Sequence, residues 1–362
     1  MTKVTFLVTN IYKCGGVQRV VSIIANRLSS LNKYQISIIS VFKTDNQPYF
    51  DLNDRIIVKN LYSEPFDVRK GFIKILKKLR RIINNDEIDV LIFSGMGYGS
   101  IVKLATLGNK NIKVIGWEHQ SFSFGKKFGL EWIGKRLAAK YMDAIVVLTK
   151  DDYLSYKLGI KKINNIKQIY NPINGEVLAA GYNSYSKCII SCGSLVPQKG
   201  FDMAVDIAKK VFEKYPDWQW HIYGDGEDRE IIESKILKNN LQDNFILKGY
   251  CENINDKYKD YSMYVMTSRH EGFPMVLIEA KANKLPIVSF DCKCGPNEIV
   301  NNNINGYLVS CFDNDEMSNK IIKLIENEEK RKTFSLNSSI GLEKLQIEKI
   351  IIEWDKLICS EI

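Results

Sequence analysis

Short apolar runs alternate with stretches of helical period along the whole chain, and this rhythm restricts it to one class of fold. In the first half the runs fall at 4–8, 36–41, 90–93, 114–116 and 144–148, separated by helical patterns at 17–28, 70–84 and 99–107, with another from Asp151. The second half restarts the series with runs at 188–192, 218–223, 245–247, 264–266 and 286–290 and helices at 201–214, 227–239 and 276–283. Runs this short and this apolar are strands buried on both faces, and helices between them imply parallel sheets covered on both sides. Two such series predict an α/β protein of two doubly wound domains, 1–170 and 171–340, with Asn171-Pro172 between them and a terminal helical segment over 341–362. Ligands of such sheets bind beyond the C-terminal strand ends. A cleft where two such domains face each other is therefore the expected site.

The length of 362 residues suits two domains. The sequence has no apolar run of eighteen residues and no signal-peptide pattern at its start, so a cytoplasmic protein without a spanning helix is expected. Its eight cysteines are scattered without a C-x-x-C pair, which predicts reduced thiols and no structural metal. Residues 1–170 carry 28 Lys and Arg against 13 Asp and Glu, whereas residues 171–362 carry 23 against 29. The first half is thus expected to meet something anionic.

Candidate chemistry concentrates after strand positions. The stretch from Ser268 to Ala280 holds Glu271 in a turn broken by Gly272 and Pro274, and Glu279 farther on in a helix. A strand, a tight turn and a helix N-terminus present backbone N–H groups and a positive dipole end, which suits a diphosphate. The two carboxylates could reach two sets of hydroxyls on one ligand; alternatively Glu271 caps the helix and Glu279 is solvated. Gly15 and Gly16 open the first helix and permit close backbone approach. Lys199, seven residues after the run 188–192, precedes a helix where a cation can meet phosphate. The turn 223–227 is either a pocket wall or a plain loop. His119 follows the run 114–116, as a structural histidine or a site residue.

Together Gly15-Gly16, Trp117-Glu118-His119, Gly193 with Lys199-Gly200, Glu271-Gly272-Phe273-Pro274 with Glu279, and the run 305–309 resemble the retaining nucleotide-sugar glycosyltransferases of family 4, over essentially the whole chain. The resemblance implies the GT-B architecture of two facing Rossmann-like domains, with the terminal helix around Trp354 crossing back onto the first. It implies that Glu271 binds donor-sugar hydroxyls, that Glu279 binds the ribose, and that Lys199 neutralises the diphosphate. Backbone N–H groups of Gly16 and of Gly272, Phe273, Pro274's neighbour Met275, and Val276 would assist, and His119 would contact the sugar near its reacting centre. Pro274, Gly15, Ser194 and Asn171 complete the expected donor pocket. Fixed cations and amides can stabilise such a leaving group without a metal, so neither metal nor cofactor is expected.

One position departs from the pattern. The family usually places Arg beside the glycine at 193, where this chain has Ser194. Losing one of two phosphate cations costs about 2–4 kcal/mol of transition-state stabilisation, and Arg269 or Arg19 are candidates to compensate. Two other motifs invite misreading. Asp313-Asn314-Asp315 spells a metal-binding Asp-x-Asp but reads as a helix start. Gly95, Gly97 and Gly99 imitate a dinucleotide fingerprint with the wrong spacing, and a tight turn is expected there.

Residues 69–81 carry seven cations in thirteen positions, with Phe72, Ile75, Leu76 and Leu79 at helical spacing. The pattern fits either a surface helix or a peripheral contact with anionic lipid, which Lys126, Lys127, Lys135 and Arg136 could extend. The expected function is transfer of a hexose or N-acetylhexosamine, from a UDP-sugar in preference, to a lipid-linked saccharide in O-antigen, capsule or lipopolysaccharide synthesis. The enzyme would sit on the inner face of the plasma membrane. GDP-mannose as donor, a soluble acceptor, a catalytically silent partner subunit and a Rossmann-type oxidoreductase are the rivals. No nucleic-acid recognition motif is present.

Overall fold

The computed structural model describes residues 1–173 and 182–360. The chain divides into two compact units, Met1–Pro172 with Ile347–Ile362, and Ile173–Gln346.

The first unit holds seven parallel strands: β1 (Thr2–Val8), β2 (Tyr34–Phe42), β3 (Ile57–Tyr62), β4 (Val90–Ser94), β5 (Lys113–Trp117), β6 (Ala144–Val147) and β7 (Ile166–Gln168). Their order is β3-β2-β1-β4-β5-β6-β7. β4 and β5 are buried at every position, as expected of central strands covered by helices on both faces. β3 and β7 escape the apolar-run reading for a local reason. β3 is an edge strand with only Leu61 buried, and β7 is three residues long. The helix Leu130–Tyr141 also escapes it, because Gly134 interrupts its pattern. That glycine is a packing requirement: a Cβ on Gly134 would overlap the Met96 carbonyl oxygen. The close approach also requires Gly99, whose Cβ would overlap the Gly134 carbonyl oxygen, while Gly95 sits at φ +92° before the short 3₁₀ turn Met96–Tyr98 at the end of β4.

The second unit repeats the winding with β8 (Cys188–Cys192), β9 (Gln219–Tyr223), β10 (Phe245–Gly249), β11 (Met263–Met266), β12 (Ile287–Phe290) and β13 (Gly306–Val309). The order is β10-β9-β8-β11-β12-β13, again all parallel. In both units the order reverses beside the first strand, between β1 and β4 and between β8 and β11. A crevice opens at such a reversal because the flanking connections leave in opposite directions.

Residues 341–346, expected in the terminal segment, stay with the second unit, where Ile173 donates its N–H to the Leu345 carbonyl at 2.8 Å. The helix Ile347–Cys359 joins the first. Trp354 packs edge-on against Trp117 with ring centroids 4.7 Å apart, and Tyr34 donates its hydroxyl to Asp355 at 2.6 Å. Lys113, buried in β5, donates to the carbonyls of Leu357 and Ser360 at 2.6 Å each and so satisfies the end of that helix.

The basic segment forms the helix Phe72–Asp86, which turns Ile75, Leu79 and Ile83 into the core. Its apolar face is therefore not available to a membrane. Several of its cations are also engaged. Lys78 donates to the Leu61 carbonyl at 2.5 Å, Arg80 to the Leu107 carbonyl at 3.2 Å, and Arg69 pairs with Asp67 at 2.8 Å. Lys74, Lys77 and Arg81 remain exposed.

Candidate active site

In the second unit the turns that follow β8 and β11 are stitched together. Arg269 donates its N–H to the Gln198 carbonyl at 2.8 Å, Gln198 Nε2 to the His270 carbonyl at 3.0 Å, and Thr267 Oγ1 to the Lys199 carbonyl at 3.1 Å. Gly200 permits this contact. It sits at φ +67°, and a Cβ there would overlap the Thr267 carbonyl oxygen. The consequence is an ion pair: Lys199 Nζ lies 2.6 Å from Glu271 Oε1. Glu271 is only 6% exposed, whereas Lys199 keeps part of its side chain in solvent. The turn after β9 braces the other side, with Gly193 donating to the Tyr223 carbonyl at 2.9 Å and Leu195 to the Asp225 carbonyl at 3.0 Å.

Beyond Glu271, Gly272, Phe273 and Pro274 are buried and lead into the helix Met275–Ala282. No side chain caps this helix and its first turn carries no acid, so Glu271 is not its cap. Leu277 already donates its N–H to the Pro274 carbonyl at 3.1 Å, so the N–H groups of Met275 and Val276 are the first-turn donors without an intrahelical acceptor, at the positive end of the helix dipole. Glu279, one turn on, is 5% exposed rather than solvated, and Tyr258 donates its hydroxyl to Glu279 Oε2 at 3.2 Å. Tyr258 is a partner that the sequence pattern does not reveal. Neither does it reveal Cys292, which is fully buried. Burial pushes its thiol up, and the negative charge of Glu271 adds to the effect. Ser194 is exposed in its turn. Arg269 does not stand in for the missing cation: Asp202 holds its guanidinium in a two-pronged pair at 2.8 and 2.7 Å. Asp313 caps the helix Asn314–Glu326, accepting from Glu316 N at 2.9 Å, as a helix start should. Among the described residues no group of three or more His, Cys, Asp or Glu side chains could hold a metal ion.

In the first unit Gly16 begins the helix Gly16–Ser29 at the end of β1. A Cβ on Gly16 would meet nothing within 4 Å, and this helix also lacks a side-chain cap and a first-turn acid. Gly15 is its N-cap residue, and the loop is held by Gln18, whose Nε2 donates to the Asn10 carbonyl at 3.0 Å. His119 follows β5 with its ring 4.5 Å from that of Trp117. Its Nε2 is buried and has no hydrogen-bond partner, and desolvation lowers the imidazole to about 3. It is therefore neutral at working pH, able to accept or donate a hydrogen bond but not to act as an imidazolium acid. Asn171, buried at the end of the unit, likewise has an unpartnered Oδ1.

A buried network holds the loop that carries His119. Tyr156 donates to Glu118 Oε2 at 2.7 Å, and Lys135 lies 3.3 Å from the same oxygen. Lys135 also donates to the carbonyls of Ser121 and Phe124 at 2.6 and 3.0 Å. Burial raises the Glu118 carboxyl to about 7, with the Lys135 charge opposing the shift.

Residues 14–177 match the family described as Glycosyltransferase Family 4, and residues 180–339 match Glycosyl transferases group 1. The chain is 34% identical over 359 residues to an uncharacterized glycosyltransferase of Haemophilus influenzae, covering 98% of this chain and 99% of that protein. It is 30% identical over 373 residues to the amylovoran biosynthesis glycosyltransferase AmsD of Erwinia amylovora, covering 99% and 100%. Among solved structures, TarM superposes with a TM-score of 0.82 at 18% identity, covering 99% of each chain. Anabaena HepE in complex with UDP and glucose does so with a TM-score of 0.82 at 16% identity, covering 100% of each. Both solved chains share this fold. By its two family matches and its full-length relatives, the chain belongs to the glycosyltransferases, with the GT-B pair of Rossmann-like domains.

Proposed function

We propose that this glycosyltransferase moves a hexose or N-acetylhexosamine from a nucleotide diphosphate sugar, UDP-linked in preference, to a lipid-linked saccharide during synthesis of a bacterial surface polysaccharide. The observation that carries the reading is the Lys199–Glu271 pair set beside the uncapped helix Met275–Ala282 at the strand-order reversal of the second unit. That arrangement offers a cation and free N–H groups to a diphosphate and a carboxylate to sugar hydroxyls. Glu279 would bind the ribose hydroxyls, with Tyr258 fixing its orientation. Gly16 N–H would add a donor to the diphosphate, and the neutral His119 would hydrogen-bond the sugar. Gly15, Ser194, Gly272, Phe273, Val276 and Asn171 would line the donor. The chemistry is leaving-group stabilisation: as the bond from the anomeric carbon to the diphosphate breaks, charge develops where these groups already stand. No step in it calls for a metal, and retention of anomeric configuration follows the family pattern.

The names of the relatives support the substrate class. AmsD is named for amylovoran biosynthesis, and a Staphylococcus aureus relative, 28% identical, is named a poly(ribitol-phosphate) alpha-N-acetylglucosaminyltransferase. HepE has been solved with UDP and glucose. No helix among the described residues is long and apolar enough to cross a membrane. Action on a lipid-linked acceptor would therefore place the enzyme peripherally on the cytoplasmic face.

A second reading, a silent subunit that binds nucleotide without turnover, is favoured by exposed Ser194 and by the engagement of Arg269 with Asp202. Thermal unfolding in EDTA with UDP, GDP, their common sugars including GDP-mannose, and NAD separates the possibilities. A ligand that binds only the folded state raises the midpoint. Stabilisation by UDP and one UDP-sugar is expected. Stabilisation by GDP-mannose alone would change the donor, and by NAD alone would overturn the reading. Stabilisation without transfer to any acceptor extract would establish the silent subunit.

A further inference from the structure

The helix Leu130–Tyr141 has an outer face unlike that of the other basic helix. Gly134, Lys135, Ala138 and Ala139 turn inward. Trp132, Arg136 and Lys140 follow one another at four-residue spacing along its flank, the first two half-buried and Lys140 exposed, and Phe128 continues the stripe into the preceding turn. Phe128 is 68% exposed and sits at φ +63°, a conformation an L-residue adopts at a cost. Its ring lies 4.9 Å from that of Trp132, and the Arg136 guanidinium covers Trp132 at 3.5 Å. Lys126 and Lys127 are exposed at one end, with Lys127 5.3 Å from the Phe128 ring. At the other end Tyr141 is exposed between Lys103 and Lys140, at 4.9 and 5.0 Å. Among the described residues the only ion pair formed by residues 126–141 is the buried Lys135–Glu118 pair, so the stripe's cations have no carboxylate to neutralise them.

We propose that this stripe, and not the helix Phe72–Asp86, is the surface by which the protein docks on an anionic lipid membrane. Rings with one edge in solvent, flanked by cations, suit the headgroup level, where the ring is buried and the ammonium groups meet phosphate. A saccharide platform fits less well, because Arg136 occupies the Trp132 face on which a sugar would stack. The helix Phe72–Asp86 has spent Ile75, Leu79 and Ile83 in the core and presents only Ile73 as a well-exposed apolar side chain. The inference goes beyond the transfer reaction and does not depend on it, since vesicle binding is read without turnover.

The test uses the full chain with vesicles of phosphatidylglycerol and phosphatidylcholine, phosphatidylcholine alone, and acyl-brominated phosphatidylcholine mixed with phosphatidylglycerol. The other four tryptophans are at most 5% exposed, so quenching by bromine in the acyl region reads Trp132. Binding to the anionic vesicles with quenched emission is expected, and quenching should vanish in Trp132→Phe. Replacing Lys126 and Lys127 together by Ala should weaken partitioning about 25-fold, at about fivefold for each cation near the surface. Phe128→Ala should reduce both binding and quenching. The Lys74→Ala, Lys77→Ala variant should bind as wild type. Failure of the wild type to bind, or loss of binding in the Lys74/Lys77 variant with none in the Lys126/Lys127 variant, would overturn the proposal. So would binding without quenching, which would show a polyanion surface. The nucleotide thermal shift measured on the same variants is expected to stay at the wild-type value, which keeps this outcome separate from that of the donor site.

Discussion

Lys199 Nζ stands 2.6 Å from Glu271 Oε1, although 72 residues separate the two along the chain. Each side chain balances the other's charge at the end of the sheet, and a diphosphate would find the ammonium already held in place. We predict that Glu271→Ala keeps the fold and abolishes measurable transfer. Lys199→Ala should lower kcat/KM about 10²–10³-fold, the range for removal of one fixed donor to a developing charge. Steady-state kinetics with circular dichroism on both variants is the check; wild-type turnover by either folded variant would remove its role.

The buried Tyr258 hydroxyl donates to Glu279 and also faces the Cys192 thiol, and of these two partners only the carboxylate is proposed to hold the donor. Tyr258→Phe is expected to weaken UDP binding about fivefold, the value of one ordinary hydrogen bond, with kcat little changed. Calorimetry with 2′,3′-dideoxy-UDP provides the control. That ligand has no ribose hydroxyls for Glu279 to hold, and it should bind variant and wild type alike. An equal loss with both nucleotides would mean that Tyr258 only supports the fold.

Gly16 and Gly134 are expected to respond oppositely to alanine. Gly16→Ala adds a methyl group where no protein atom lies within 4 Å, so stability should change by less than about 1 kcal/mol. Transfer should fall because the methyl group occupies space beside the first-turn N–H groups. Gly134→Ala drives its methyl into a backbone carbonyl that cannot move independently. A loss of about 3 kcal/mol or more is expected. Denaturant unfolding and activity assays on both proteins make the comparison.

Glu118 makes stability depend on pH in a defined direction. Its folded value of about 7 lies above the ordinary 4.5, so between these values the folded state holds a proton that the unfolded state has released. Its contribution is therefore fully present below about pH 4.5 and is lost as pH rises to 7. His119 works in the opposite sense: with its imidazole lowered to about 3, it favours the folded state increasingly as pH rises toward 6.5. The two oppose each other near pH 5–6, so a variant is needed to separate them. The stability of Glu118→Gln relative to wild type should rise between pH 5 and pH 8, by as much as about 3 kcal/mol. A difference independent of pH would place the raised carboxyl elsewhere.

Elements with strong local signals were legible before any coordinates. The strand Cys188–Cys192 and the helix Phe201–Lys214 lie where the apolar runs and helical period put them. The cap at Asp313 was readable as a polar helix start. β3 and β7 were not, because an edge strand buries little and a three-residue strand has no room for a period. The helix Leu130–Tyr141 was missed because Gly134 answers to a neighbouring backbone, and nothing in its own segment announces that neighbour. Within the candidate site, Glu271, Glu279, Lys199 and His119 could be named from their turns, whereas Tyr258 and Cys292 sit in segments with no motif.

The sequence by itself determined the class of fold, the number of windings, and the turns that carry chemistry, because apolar period, glycine and proline act within a few residues of themselves. Only the tertiary structure decided which charges meet. Arg269 and Lys199 are both cations near the same turn, yet one is bound by Asp202 and the other by Glu271. The helix Phe72–Asp86 and the helix Leu130–Tyr141 are both basic, yet the first buries its apolar stripe while the second leaves Trp132 half-buried and Tyr141 exposed, next to exposed Phe128. Pairings of this kind depend on the order of strands in a sheet and on how closely two turns approach. Those distances are set by segments far apart in the chain.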